Sequence, residues 1–370
     1  MRVTLLLKTS GIALVFMCSI TSALFSQNAI KHSIYLIGDA GKDTIAGPAL
    51  ELLGEQLRKD STSTVIFLGD NVYPTGLDGK DGHKKLRASE MKLRSQLDQT
   101  INHLGSVFWV PGNHDWKAGK WQGLDLVKRE AEFVEDYYKK NGNIRNKNEA
   151  VFMPRNGFPG PHYAAFGDNM HLIAIDVQWW LQSQFFHKIA KTEGMSKRQM
   201  ERQFLSLLDS LLNASTAKGG QVIIAAHHPM YSNGHHGAPK QPYRFILNWV
   251  PPFQLFGLIG LNRAMVQDIP QMRYNRIRNK ILRVMDKYSG VIYVSGHDHN
   301  LQYFKKGTNF HLVSGSGSKR SSLKGDRYGA RFMDDRNNGF MRLDIMQDGT
   351  KQVHVFGHLT NTIFHSFVIE

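Results

Sequence analysis

"GVIYVSGHDHN", residues 290–300, is a run of β-branched and aromatic residues from Val291 to Val294 that passes through Ser295 and Gly296 and then sets His297 and His299 around Asp298. Such residues favour strands. Side chains two apart on an extended chain share a face, so both imidazoles would leave one end of a buried strand in the same direction. That arrangement suits a metal ion, but an isolated His-x-His is more often a polar turn closing a strand. The reading therefore depends on partners elsewhere.

The same grammar recurs along the chain. "SIYLIGDAG" (33–41), "TVIFLGDNVY" (64–73), "SVFWVPGNHD" (106–115), "MHLIAID" (170–176) and "QVIIAAHHP" (221–229) are apolar runs that each end in Asp, Asn or His. Continuous apolar runs predict strands buried on both faces, as in sheets covered by helices. Helices are expected between them. Pro48 opens one with Leu50, Leu53 and Leu57 on one face, Leu93, Leu97, Ile101 and Leu104 mark a second, and a Ser196/Gln199 capping box precedes a third with Phe204, Leu207, Leu208 and Leu211 inward. "NFHLVSGSGS", "GFMRLDIM" and "KQVHVFGHL" near the end read as strands without long helices. The sum is an α/β chain with two sheets packed together.

In such folds ligands bind at the carboxyl ends of strands. Asp39, Asp70, Asn113, His227, His297 and His299 would converge there from five strand ends. That set is too large for one metal ion with an open position. Two ions sharing Asp70 as a bridge account for it, the arrangement of two-metal hydrolytic sites.

Composition narrows the chemistry. The 370 residues are 41% hydrophobic, enough for a large core, and 46 Lys plus Arg against 31 Asp plus Glu give a formal charge of +15, which favours anionic partners. There is no zinc-finger spacing or RNA-binding aromatic signature, so a dedicated nucleic-acid module is not expected. Residues 1–26 have a basic start, an apolar run from Ile12 to Ile20 and small residues after it, the pattern of a cleavable signal peptide. The expectation is a secreted or periplasmic protein whose catalytic domain occupies 27–370. The one cysteine, Cys18, lies in that leader, so any metal must be held by nitrogen and oxygen.

The ordered set "GDAG", "GDNVY", "GNHD", "AAHHP" and "GHDHN" resembles the calcineurin-like metallophosphoesterases, over most of the mature chain. "GDNVYPTG", with Tyr73 three residues after Asp70, together with "GHDHNLQY" and "GFPGPHY" (157–163), looks most like the purple acid phosphatases of the small, tartrate-resistant type. The resemblance implies a four-layer αββα sandwich of two mixed sheets flanked by helices. It implies Asp39, Asp70, Tyr73 and His299 on a ferric ion, and Asp70, Asn113, His227 and His297 on a second, divalent ion such as Fe2+, Zn2+ or Mn2+. A phenolate suits hard trivalent iron. The implied activity is acid phosphatase, hydrolysis of a phosphorylated small molecule or phosphoprotein by metal-held hydroxide. A phosphodiesterase or nucleotide hydrolase on the same centre, or a non-catalytic secreted binding protein, are the alternatives.

Three more residues complete the expectation. His114, beside Asn113, is the candidate general acid and phosphate clamp, His236 a second histidine facing substrate, and Asp115 a group to orient His114. His227 is taken as ligand because it directly ends "QVIIAA", with His228 the alternative. Asp298 would orient a ligand histidine or bond backbone. An apolar insertion is expected at about 238–286. Within it Trp249, Phe253 and Phe256, flanked by Arg244 and Arg263, make residues 242–263 either a loop folded on the core or a surface for an anionic membrane.

Overall fold

The computed structural model describes residues 29–80, 82–182, 194–237 and 267–370. The expected leader 1–26 and the apolar stretch 242–263 lie outside the described residues. The first half runs β1 (Ile30–Ile37), α1 (Pro48–Lys59), β2 (Thr64–Phe67), α2 (Lys84–Leu97), β3 (Val107–Trp109), α3 (Gly123–Asn141), β4 (His162–Phe166), β5 (Met170–Ala174) and α4 (Val177–Leu181). It continues with α5 (Lys197–Ala217), β6 (Gln221–Ala225), α6 (Met272–Met285), β7 (Ile292–Ser295), β8 (Leu301–Lys306), β9 (Asn309–Ser314) and β10 (Phe332–Asp334). The last strands are β11 (Gly339–Met346), β12 (Lys351–Gly357) and β13 (Thr362–Ile369).

These strands make two mixed sheets, ordered β13-β12-β11-β1-β2-β3 and β10-β8-β9-β7-β6-β5-β4. The centre of each is parallel: β1, β2 and β3 in one, β5, β6, β7 and β9 in the other. Strand alternation builds the layers. Ile34, Leu36, Ile66, Leu68 and Phe108 of the first sheet join Leu172, Ile223, Ala225, Ile292 and Val294 of the second in an inner core. Their neighbours Tyr35, Ile37, Val65, Phe67, Ile224 and Tyr293 belong to a separate cluster with helix residues such as Leu53, Leu93, Phe204 and Ile281. A strand sealed on both faces cannot alternate in polarity, which is why these strands read as continuous apolar runs. The result is the expected α/β sandwich of two mixed sheets with helices outside.

Helix detail departs from the sequence reading in two places. α2 stops at Leu97, and Thr100 Oγ1 donates back to the Leu97 carbonyl at 3.1 Å while Leu104 N donates to Ser61 O at 2.8 Å. Ile101 and Leu104 thus continue the helical spacing inside a turn, and Leu104 stays half-exposed. In α5 the Ser196/Gln199 capping box is formed, and Phe204, Leu208 and Leu212 make one buried ridge at a spacing of four with Leu211 packed beside it, but Leu207 is left on the exposed side. Part of the expected insertion also belongs to the core. α6 buries Tyr274, Ile277, Ile281 and Met285 and packs against α4 and α5. Among the described residues no helix is long and apolar enough to cross a membrane.

Candidate metal centre

Asp39, Asp70, Asn113, His227 and His297 follow β1, β2, β3, β6 and β7, and all five are buried. Parallel strands in adjacent positions end together, so turns that are distant in sequence open on one crevice. Asp39, Asp70 and His297 hold positive φ, at 59°, 55° and 73°. A left-handed backbone costs a residue with a Cβ roughly 1–2 kcal/mol, and strain of this kind persists where the surroundings impose it.

Two donor clusters result. In one, Asn113 Oδ1 lies 3.0 Å from His227 Nε2 and 3.0 Å from His297 Nδ1, with those two nitrogens 3.2 Å apart. The opposite ring nitrogens are already committed: His227 Nδ1 lies 2.8 Å from the Leu68 carbonyl and His297 Nε2 lies 3.1 Å from the Gln267 carbonyl. A ring N–H given to a carbonyl fixes the tautomer and leaves the other nitrogen a lone pair. Two imidazole lone pairs and an amide oxygen therefore converge. Such a cluster of acceptors needs a cation among them.

The second cluster shares Asp70. Tyr73 Oη donates to Asp39 Oδ1 at 2.7 Å and lies 3.1 Å from His299 Nε2, and His299 Nε2 lies 3.4 Å from Asp39 Oδ1. Ligand atoms of Asp39, Asp70 and His227 all fall within 4.8 Å of one another, which places Asp70 between the clusters. The electrostatics ask for positive charge. Burial alone would raise Asp70, yet the rings of His227 and His114 hold its carboxyl well below the usual range. Burial alone would lower His227, yet Asp70 carries it up to about 10. A proton on His227 Nε2 then stands where a metal ion would bind, 3.4 Å from Asp70 Oδ1. Burial pushes the Tyr73 phenol well above its ordinary range, with Asp39 and Asp70 adding to the shift. A cation held beside the hydroxyl would favour its ionised form. The two donor sets fit two metal ions.

The remaining expected residues are placed as follows. His114 is partly exposed at the crevice, its backbone N–H donating to Asp70 Oδ1 at 2.8 Å and its Nδ1 lying 2.7 Å from the Pro74 carbonyl. Asp115 does not orient His114. Its carboxylate accepts from the backbone N–H groups of Asn71, Val72 and Gly112, at 3.2, 2.9 and 2.7 Å, and so ties the Asp70 turn to the Asn113 turn. The Pro74 carbonyl takes the orienting role. His236 stacks on His297, centroids 4.2 Å apart, and its Nδ1 meets Asp268 Oδ1 at 2.8 Å. Asp298 accepts from Ser232 Oγ and from His236 N, and so shapes the loop that carries His236. His228 turns away to Gln267 Oε1 at 2.7 Å, and burial pushes it down to about 3.

Gln267 and Asp268 are the residues sequence reasoning missed. They end no apolar strand, and their only signal is a lone acid in "QDIP" (267–270), five residues after Arg263. Asp176 shows the reverse, a strand-end acid that caps α4 through Trp179 N and accepts from Trp116 Nε1 at 2.6 Å.

Comparison with known proteins agrees with this geometry. No curated protein sequence matches significantly. Among solved structures the chain is similar to GAP50, "the anchor in the inner membrane complex of Plasmodium", at 16% identity and a TM-score of 0.54, covering 92% of this chain and 89% of that one. It is similar to the purple acid phosphatase PPD1 from yellow lupin (Lupinus luteus) seeds at 14% identity and a TM-score of 0.50, covering 93% of this chain and 54% of that one. It is also similar to PhoD at 12% identity and a TM-score of 0.55, covering 93% and 69%. At these identities the likeness establishes the fold alone. Residues 32–301 match the profile of the calcineurin-like phosphoesterases, a span that contains every donor above, and the chain belongs to that family.

Proposed function

We propose that this protein is a phosphatase of the purple acid type, hydrolysing phosphate monoesters with a ferric ion held by Asp39, Asp70, Tyr73 and His299 and a divalent ion (Fe2+, Zn2+ or Mn2+) held by Asp70, Asn113, His227 and His297. The observation that carries this reading is the position of Tyr73 Oη, 2.7 Å from Asp39 and 3.1 Å from His299. A phenol so placed has a chemical use beside iron and little elsewhere. When bound, the two ions supply an acidified water and neutralise the phosphoryl oxygens.

The chain's own residues do the rest. With His114 Nδ1–H given to the Pro74 carbonyl, Nε2 is the nitrogen turned to the crevice, and it is the imidazolium form of the ring, protonated on both nitrogens, that passes its Nε2 proton to the departing alkoxide. Asp115 holds the two ligand-bearing turns at one separation, which fixes the distance between the clusters before substrate arrives. His236, steadied by Asp268 and by stacking on His297, borders the crevice from the opposite loop. The fold by itself leaves catalysis open, because a protein described as an anchor also has it.

The test is hydrolysis of p-nitrophenyl phosphate beside bis(p-nitrophenyl) phosphate by the iron-loaded protein, with metal content by elemental analysis. Monoester turnover well above diester turnover, in a pink or purple sample holding two ions per chain, is expected. Diester preference would move the assignment to a phosphodiesterase. Two bound ions with neither turnover would leave a binding protein.

A further inference from the structure

Beside His299 lies an open cavity of 660 Å³, bordered by Lys42, Ser318, Lys319, Arg320 and Ser322. Its volume is that of a small-molecule site, yet its lining is cationic and hydroxylic with no aliphatic or aromatic side chain apart from the His299 ring. A nucleobase or an acyl chain would find nothing to stack on or bury against. A second anionic group would find three cations.

The loop that carries these residues is built onto the metal centre. Gly317 N donates to Gly38 O at 3.0 Å, Ser318 N to Asp39 O at 3.0 Å, and Ser321 N to His299 O at 2.8 Å, while Ser318 Oγ also donates to Asp39 O. Backbone bonds on both sides of Lys319 and Arg320 therefore fix these residues relative to two ligand-bearing turns. Lys319 is half-buried, with Nζ 3.4 Å from the centroid of the Tyr73 ring, where its charge reaches the edge of the Asp39/Tyr73/His299 cluster. Lys42 extends from the Asp39 turn, and the Arg320 guanidinium donates to the Arg336 carbonyl at 2.6 Å, which steadies it without neutralising it. None of the three is in an ion pair among the described residues. The lining also includes the Asn338 amide and one acid, Asp335, which accepts from Leu323 N at 2.9 Å, so three cations outnumber a single carboxylate at the rim.

We propose that this cavity is a second anion subsite, and that the preferred substrates are small organic phosphomonoesters carrying a second phosphate group, held by Lys42, Lys319 and Arg320 while the first phosphate lies at the metals. The inference rests on the monoesterase reading above and adds the class of leaving group. Its chemistry is charge-assisted and bidentate in the case of Arg320.

The test compares alkane-α,ω-diyl bisphosphates of two to six carbons with alkyl monophosphates of equal length, so that the leaving alkoxides are both primary and differ only in the terminal phosphate. The metal-loaded protein should prefer a bisphosphate in kcat/KM by about tenfold or more, the scale of one charge-assisted hydrogen bond. Lys42→Ala combined with Arg320→Ala should reduce that ratio towards unity, chiefly through KM. Equal kcat/KM for both series in the wild type, or a ratio the double variant leaves intact, overturns the subsite. If neither ester is hydrolysed the monoesterase reading falls, and calorimetric binding of the matching bisphosphonates and monophosphonates still decides: a tenfold tighter bisphosphonate that loses its advantage in the double variant supports the subsite, and equal affinities refute it.

Discussion

Tyr73 is buried with its hydroxyl on Asp39 and beside His299, which makes the ring a reporter of what occupies the cluster formed by these three residues. Tyr73→Phe removes only the hydroxyl, so the iron-loaded variant should lose its visible charge-transfer absorption while circular dichroism stays unchanged. A colourless iron-loaded wild type would contradict the ferric assignment and leave the family intact. His114 is separable from the ligands, because only its backbone touches Asp70 at hydrogen-bond distance. His114→Ala should lower kcat by about 10²–10⁴ on an alkyl phosphate, the usual share of positioned proton transfer. The loss on p-nitrophenyl phosphate should be smaller, since that phenolate leaves unaided. Equal losses on both would assign the ring to clamping phosphate. At this scale the sequence was legible where a donor ended an apolar strand: Asp39, Asp70, Asn113, His227 and His297 were each marked by the run before them. Asp268, Lys319 and the Pro74 carbonyl were not, because they reach the crevice from loops whose approach depends on contacts distant in the chain. Asp115 was visible but misread, since an acid next to a histidine does not announce that its partners are backbone amides.

Between residue and fold stand the turns that bring the donors together. Gly112 is where the Asp70 and Asn113 turns come closest: a Cβ there would lie 2.2 Å from Asp70 N and 2.3 Å from Asp70 Oδ1. Those atoms are backbone and a ligand, so something in the centre must move. Gly112→Ala should therefore lower stability by about 1–3 kcal/mol, the usual cost of overpacking, and metal content should fall with it. The companion variant is Ser196→Ala, which removes the capping box of α5 on the exposed outer layer. Loss of that cap should cost about 1 kcal/mol with metal content and turnover untouched. Equal metal content in the two variants, by elemental analysis, would show that the turns tolerate displacement. The apolar-run grammar placed the turns at the carboxyl ends of the parallel strands correctly, because burial on both faces is written into composition. Helix ends were less legible: α2 stops at Leu97 through a backbone turn that the leucine spacing runs straight past.

For the whole molecule, the question raised by an acid-working assignment is whether the fold itself tolerates acid. His311, on β9, is buried between the rings of Tyr231 and Tyr293. Burial, with Arg278 and Lys306 adding to it, pushes its pKa down to about 3. The unfolded chain titrates this group near its ordinary 6.5, so between pH 6.5 and 3 the unfolded state binds the proton and the folded state does not. The contribution to stability is full above pH 6.5 and is lost as pH falls towards 3, at about 1.4 kcal/mol for each unit of depression. Asp176 works in the opposite sense. Burial raises it to about 7, so the folded state binds its proton first and gains stability as pH falls from 7 to its ordinary 3.8. The wild-type curve is a sum of such opposing groups, whereas the difference between wild type and His311→Leu isolates one of them. Leu has similar volume and replaces a ring whose buried Nδ1 has no hydrogen-bond partner, so at neutral pH the exchange gives up no bond from that nitrogen. The two proteins should have similar denaturant midpoints at pH 7.5, and the variant should become progressively the more stable from pH 6 to pH 4.5. Midpoints that stay parallel across that range would show that His311 takes up its proton equally in both states, and acid sensitivity would then have to arise at other groups, among them His32 and His103, which burial also holds below their ordinary range.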